Sequence, residues 1–438
     1  MSSSVTDIGK SEMEKTHGLS RQAKSLFFVG WILVCVGAIA NEWVLAKTVS
    51  SDGTLQFETI IIIWFFDFTL ILAGSLLINS RKLTHLTRVT LALSQSYPRT
   101  LSLGIGVVTA ILTLLWTEAA FFALNNYKQR KVPRIEYSNS GRLFRVTDEL
   151  LGFKHLANVQ VSSIKKVDRK IAYNATYSTD AYGRRTTPAT HLEPPSNFIL
   201  FFGDSFTFGE GVNDNETLPF YVGQMASKYR VYNYGVMGYG PQGMLAELRD
   251  GDIAKEINET HGISIYTFID DHISRAIGAQ HVVAGWGWRM PFYHVDSSNR
   301  LVRRSNFISG RPGLTFLYWV LAKSQIAKYL GIHLPLRIDD SHIKTTARII
   351  EESRNTFKEK FNSDRFYVLF FPGSRRAKNL IPYLESADIK YLDYSELIDM
   401  HEQEFHIEND PHPTPRAYRI VATRITKDIG ILDSDQEK

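Results

Sequence analysis

Hydrophobic positions crowd into the first third of the chain. Leu26–Ala46, Phe57–Ile78 and Leu101–Leu124 are long apolar runs. Each is long enough to cross a bilayer core of about 30 Å as a helix. Buried helices of a soluble protein are the competing reading, and three such runs within the first 125 residues make it a poor one. The first run is too long for a cleaved signal peptide, and no small-residue cleavage site follows it. Lys and Arg set the orientation. Lys10, Lys15, Arg21 and Lys24 precede the first run, Arg81, Lys82, Arg88 and Arg99 precede the third, and only Lys47 follows the first. This predicts a cytoplasmic amino terminus and, after three crossings, a domain outside the cytoplasm. Lys128, Arg130, Lys131 and Arg134 argue the other way, but large domains are translocated despite such charge. Among the carboxylates in these runs are Glu42 in the first, Asp67 in the second and Glu118 in the third. Intramembrane acids are costly. Glu42 and Glu118 fall near the outer boundary, whereas Asp67 falls near mid-membrane, as a partner-helix contact or part of a polar path.

Beyond Asn125 the pattern changes. Residues 126–195 carry short alternating patches, Val159–Val161 and Ile171–Tyr177, and predict a small extended, β-rich segment with no evident chemistry. From Ser196, strand-like runs at Phe198–Phe202, Val231–Tyr234, Ile263–Ile269, Phe366–Phe371 and Ile389–Leu392 alternate with helical stretches at Lys344–Phe361, Arg375–Glu385 and Thr414–Ile429. Strands alternating with helices predict an α/β fold, a parallel sheet covered on both faces. The expected division is therefore 1–125 as a three-helix membrane anchor, 126–195 as the small segment, and 196–438 as the main domain. An insertion at about 280–340 contains an aromatic hairpin, Trp286–Phe307, turning near Asp296–Asn299. It reads either as a packed extension of the core or as a carbohydrate-facing lid.

Composition narrows the function classes. At 438 residues the chain suits about three compact units, and its formal net charge of +5 is mild. No Lys/Arg cluster interleaves with aromatics, so no nucleic-acid partner is expected. Cys35, in the first apolar run, is the only cysteine, which excludes a disulfide framework, a thiol nucleophile in the main domain and a cysteine-based zinc site. No pair of His four apart with an acid offers a metal ligand set, and no metal or organic cofactor is expected.

Asn197–Val212 reads NFILFFGDSFTFGEGV. An apolar strand running into Gly-Asp-Ser puts Ser205 at a strand's carboxyl end, where open α/β sheets build their sites. Val231–Gly240 reads VYNYGVMGYG, and Asn409–Ile420 reads NDPHPTPRAYRI just before the last helical stretch. A serine hydroxyl needs a neighbouring base to attack, and an imidazole oriented by a carboxylate supplies one.

Together these stretches resemble the signature blocks of the SGNH (GDSL-type) hydrolases, in a membrane-anchored bacterial form. The likeness covers roughly residues 196–430, outside the insertion. It implies a flavodoxin-like sheet, with Ser205 as nucleophile, His412 as general base and Asp410 as its orienting partner. It also implies an oxyanion hole from the N–H groups of Ser205 and Gly238. The family's third block has an Asn as a further donor, and IYTFIDDHISR (Ile265–Arg275) places Asp270 there instead. An ionised carboxylate repels an oxyanion. Either Asp270 is protonated, or it points elsewhere and His272 or Arg275 donates; a strand-end salt bridge with Arg275 is the plain alternative.

The expected function is serine-dependent ester hydrolysis or O-acyl transfer on ester, chiefly acetyl, groups of an envelope glycan or lipid. Resemblance to membrane-tethered relatives of the alginate-acetylation type suggests work alongside envelope polysaccharide machinery, at the cell (inner) membrane with the main domain on the periplasmic or extracellular side. The alternative is a non-catalytic glycan-binding or assembly protein with a degenerate SGNH domain. A transporter or sensor working through the spans has thinner support.

Overall fold

The computed structural model describes residues 28–39, 44, 57–78, 98–129, 132–138, 145–188 and 195–433. They fall into two compact units, Met1–Ala123 and Leu124–Lys438. In the first, the described helices are α1 (28–39), α2 (Phe57–Ile78) and most of α3 (Pro98–Gln129). Glycines let α1 and α2 touch backbone to backbone. A Cβ on Gly30 would stand 2.7 Å from the Gly74 carbonyl oxygen, and one on Gly37 3.1 Å from that of Asp67. Phe66 and Trp116 meet edge to face at 4.6 Å, joining α2 to α3. Asp67 is buried, Glu118 is half-buried, and Glu42 lies outside the described residues. Among the described residues no helix is long and apolar enough to cross a membrane. Parts of the three expected spans, and the flanking Lys and Arg that orient them, lie outside those residues.

The second unit is built on a five-stranded parallel sheet. Its strands are β6 (Asn197–Gly203), β7 (Tyr229–Gly235), β8 (His261–Phe268), β11 (Phe366–Phe370) and β12 (Lys390–Asp393), in the order 12-11-8-6-7. The central strands are largely apolar because both faces are covered. On β6, Phe198 to Phe201 are all fully buried. One face packs Ile199, Phe201, Ile263 and Ile265 against α5 (Leu218–Met225) and the last helix, α12 (Pro415–Asp428). The other packs Phe198, Leu200, Phe202 and Tyr266 against α6 (Pro241–Asp250), α10 (Asp340–Phe361) and α11 (Ala377–Ser386). Burying each such phenylalanine stabilises the fold by about 1.5–3 kcal/mol.

The segment before the sheet shares this core. Strands β1 (Ile135–Ser138), β4 (Gln160–Val167) and β5 (Lys170–Ser178) form an antiparallel sheet, and β2 (Arg145–Asp148) pairs with β3 (Gly152–His155). Alternation along β5 turns Tyr173, Ala175 and Tyr177 inward, where they join the α5–α12 core. Arg185 closes the junction. Its side chain is fully buried, with Nε 2.7 Å from Asp214 and the remaining nitrogens donating to the carbonyls of Thr176, Phe208, Gly209 and Val212. In the insertion, β9 (Pro291–Val295) and β10 (Leu301–Asn306) form a hairpin whose Tyr293 is buried. Helices α8 (Pro312–Lys323) and α9 (Gln325–Leu330) follow.

Removing one partner of a buried ion pair costs about 3–5 kcal/mol, because the remaining charge is left unpaired in a poorly solvating interior. Arg185→Met is expected to lose stability on that scale, and Arg185→Lys part of it, as measured by chemical denaturation of the full chain. A loss under about 1 kcal/mol for Arg185→Met would show that the guanidinium is not what joins the segment to the sheet.

Candidate active site

Local geometry pushes Ser205 to the end of the sheet. Strand β6 stops at Gly203, which adopts φ 152°, and a Cβ there would collide with the Thr207 hydroxyl. Asp204 caps the one-turn helix α4 (Ser205–Phe208), its side chain accepting from Phe206 N at 3.0 Å. Ser205 is thus the first residue of that helix, its Oγ at the strand's carboxyl end. Asn233 on β7 steadies the turn, donating to the Thr207 carbonyl at 3.0 Å and accepting from Gly235 N at 2.9 Å.

The other half comes from the loop before α12. Hydrogen bonds from Ile407 N to the His412 carbonyl and from Asp410 N to the Ile407 carbonyl close it, both at 2.9 Å. The expected triad meets here. His412 Nε2 lies 2.8 Å from Ser205 Oγ, and His412 Nδ1 lies 2.5 Å from Asp410 Oδ1. Asp410 is buried, while its neighbour Asn409 is exposed at φ 59°.

Two residues that sequence reasoning passed over complete the electrostatics. Lys165 of β4, buried, donates to Asp410 Oδ2 at 2.6 Å. Glu210 places Oε2 3.4 Å from His412 Nε2. Burial disfavours an ionised Asp410, but the bonds from His412 and Lys165 outweigh it and hold the carboxyl well below the usual carboxylate range. Burial likewise disfavours an imidazolium at His412, yet the charges of Glu210 and Asp410 and the Asp410 hydrogen bond prevail and raise its pKa above the ordinary imidazole value. The expectation of no chemistry in residues 126–195 is therefore corrected by Lys165. Alternation along β4 was the available signal, since Lys165 shares the inward row with Ser163 and Val167.

The third-block residues sit differently from expectation. Asp270 Oδ1 accepts from Arg376 N at 2.9 Å, and so braces the loop after β11. Burial raises its pKa. His272 and Arg275, expected as alternative donors, turn into the core beneath the nucleophile. Arg275 Nη1 lies 2.5 Å from Asp204 Oδ2 and 2.8 Å from the Tyr239 carbonyl. His272 is fully buried, with Nδ1 2.7 Å from the Tyr266 hydroxyl and Nε2 3.4 Å from Asp204 Oδ2. Burial lowers the His272 pKa, which keeps the ring neutral. Burial also opposes ionisation of Asp204, but the neighbouring Arg275 charge and His272 hold it far below the usual carboxylate range. The pair thus supports the residue before the nucleophile. Arg275 does form a strand-end ion pair, 3.6 Å from Asp271.

Among the described residues neither Ser205 N nor Gly238 N has a protein acceptor. Gly238 holds φ 90°, and its carbonyl faces Trp286 Nε1 at 3.4 Å. Trp286 remains partly exposed and walls this side, whereas Met290 and Phe307 of the same insertion are buried core. No group of His, Cys, Asp and Glu suited to a metal ion occurs among the described residues.

No family model matches the chain, and no curated protein matches it. Solved structures do. A lipolytic protein of the G-D-S-L family from Veillonella parvula is 13% identical, with a TM-score of 0.31, covering 53% of this chain and 97% of that one. An acetylxylan esterase from Geobacillus stearothermophilus, solved as a catalytic mutant, is 12% identical with a TM-score of 0.30, covering 56% and 100%. An acetyl xylan esterase from the rumen bacterium Butyrivibrio proteoclasticus is 10% identical with a TM-score of 0.32, covering 64% and 73%. Likeness this weak leaves function to be read from the geometry of the site.

A base must be neutral to accept a proton, so the raised pKa of His412 is expected to place the acidic limb of kcat/KM above the ordinary imidazole value of about 6.5. Glu210→Gln removes a stabilising anion and should move that limb to lower pH. Lys165→Met removes a cation that offsets Asp410 and should move it to higher pH. pH profiles on an aryl acetate measure both shifts. A Lys165→Met enzyme equally slowed at every pH, with an unmoved limb, would reduce Lys165 to a structural role.

Proposed function

We propose that this chain is a serine-dependent esterase or O-acyltransferase acting through an acyl-enzyme on ester groups, chiefly acetyl, of a cell-envelope glycan or lipid. One observation carries the reading: Ser205 Oγ, His412 and Asp410 stand in continuous hydrogen-bond contact at 2.8 and 2.5 Å. His412 takes the proton as Ser205 attacks the acyl carbon, and Asp410 stabilises the imidazolium that forms. The oxyanion is received by Ser205 N–H and Gly238 N–H, fixed donors that need no reorganisation. His412 then returns the proton to the leaving oxygen, and water or a hydroxyl acceptor resolves the acyl-enzyme by the reverse path. Water gives hydrolysis, and a sugar hydroxyl gives transfer. A glycan-binding or assembly role without catalysis leaves the aligned nucleophile, base and acid without a purpose.

The membrane anchor is part of the proposal. Three helices from the apolar runs span the cell membrane and hold the main domain on the periplasmic or extracellular side. Outward-facing apolar side chains support this, among them Trp31 and Ile32 on α1, Trp64 and Phe68 on α2, and Ile111 and Leu114 on α3. So does the glycine contact of α1 with α2, since close backbone approach at small residues is how helices associate in lipid. Buried Asp67 sits at that contact, beside Gly37, as a partner-helix residue.

The full chain in detergent is expected to react with a fluorophosphonate probe at Ser205 and to cleave an aryl acetate. Ser205→Ala should abolish labelling and cut turnover by about 10⁴-fold or more. Unchanged labelling and turnover in Ser205→Ala would sink the nucleophile assignment. For topology, a reporter that works only when exported should be active when fused after Leu124 and silent when fused within residues 81–100. The opposite pattern would place the site in the cytoplasm and rule out an external glycan.

A further inference from the structure

Helix α8 carries no charged side chain from Pro312 to Ala322. A helix apolar on all sides is normally buried on all sides. Here only Thr315 and Tyr318 face the core, anchored by a bond from the Thr315 hydroxyl to the Phe307 carbonyl at 2.8 Å. The outer face repeats at helical spacing, Gly313, Phe316, Leu317 and Val320. Phe316 is 65% exposed, and nothing lies within 4 Å of where a Gly313 Cβ would stand. Trp319, Leu330 and the 78%-exposed Leu336 are further exposed apolar residues of the same stretch. Soluble surfaces rarely leave such a contiguous face bare.

Two observations say what covers it. The first is charge. Residues 297–338 contain seven Lys and Arg and no Asp or Glu, in a chain whose total net charge is only +5. Arg300 and Arg303 pair with Asp296 and Asp250, and Arg311 turns inward over Phe307. Lys323, Lys328 and Arg337 are exposed and form no ion pair among the described residues. Cations flanking an apolar face suit an anionic headgroup layer. The second is position. Asn125, in the last turns of α3, donates to the Gln325 carbonyl and to its side-chain oxygen at 2.9 and 3.2 Å. Lys128, one turn on, lies 3.7 Å from the centre of the Tyr329 ring. On α3 the apolar stretch ends at Leu124, and Asn125 to Lys128 begin the polar end, where a membrane helix meets water. Tyr127, Tyr329, Trp319 and Lys128 are the residue types that collect at that boundary.

We infer that α8 and α9 form an interfacial element, with Phe316, Leu317 and Val320 seated in the acyl layer of an anionic bilayer and Lys323, Lys328 and Arg337 among its headgroups. This rests on the membrane anchoring proposed above, and the two can fail separately. The catalytic unit is then fastened to the lipid surface at two places, the end of α3 and the α8 face.

The test uses the full chain in the Cys35→Ala background, which leaves no native thiol. Phe316→Cys, Val320→Cys and, as an aqueous control, Lys378→Cys are spin-labelled and reconstituted in phosphatidylglycerol–phosphatidylcholine vesicles. Power saturation then compares access of oxygen, which concentrates in lipid, with that of a polar nickel chelate. Labels at 316 and 320 should favour oxygen and the label at 378 should favour nickel, the contrast weakening in vesicles of phosphatidylcholine alone. Free access of nickel to 316 and 320 overturns the inference. So does shielding from both reagents, which would mean that protein covers the face. A chain that fails to float with the vesicles after alkaline carbonate overturns the anchoring as well; a chain that floats while nickel reaches 316 overturns the interfacial element alone.

Discussion

The loop after Ser205 turns the backbone carbonyls of Phe208, Gly209 and Val212 toward the interior. A guanidinium meets them. Arg185 bonds the carbonyls of Phe208, Gly209 and Val212, then reaches back to Thr176 of its own segment and to Asp214. A planar fork of five donors suits this task in a way that the single ammonium of lysine does not. The rest of the site depends on the contact. It makes the β4–β5 sheet and the nucleophile turn one body, and so fixes the inner row of β4 against the loop that carries Asp410.

Charge alternates across the site on two levels. In the upper row Lys165, Asp410, His412 and Glu210 run cation, anion, base, anion. The imidazole stands between two carboxylates, so an imidazolium there would be stabilised from both nitrogens, while Lys165 helps to hold Asp410 ionised. In the lower row Arg275 and neutral His272 hold Asp204, the residue preceding Ser205. The lower row uses the side chains from which a third oxyanion donor would otherwise come. In the proposed reaction oxyanion stabilisation then falls to the backbone N–H groups of Ser205 and Gly238, whose positions are set by the turn at Ser205 and by the positive φ of Gly238.

Much of the second unit was legible in the sequence because its signals are local. Largely apolar runs marked β6, β7, β8, β11 and β12 to within a few residues, and amphipathic spacing marked α10 and α12. Ser205, Asp410 and His412 sit in turns with their own chemistry, where Gly, Pro and the order of residue types carry the message. What stayed hidden depends on partners distant in sequence. Lys165 looks like half of a surface lysine pair until β4 is paired with β5 and laid on the sheet. Asp270, His272 and Arg275 were matched to one motif position, but their direction is decided by burial under β8 and by the loop carrying Arg376. The bare face of α8 was equally invisible, because eleven uncharged residues in a row carry no mark of which side stays exposed.

The Lys165–Asp410 contact joins residues 245 positions apart. Contacts of such long sequence separation form late, because the entropy of closing the intervening chain must be overcome before they stabilise anything. During synthesis, β6 and the Ser205 turn emerge about two hundred residues ahead of His412, without a base and without the charge that tunes it. Until His412 arrives, Ser205 is a serine hydroxyl without a base beside it. On the proposed mechanism, the full constellation is assembled only when the loop before α12 has closed on the folded sheet.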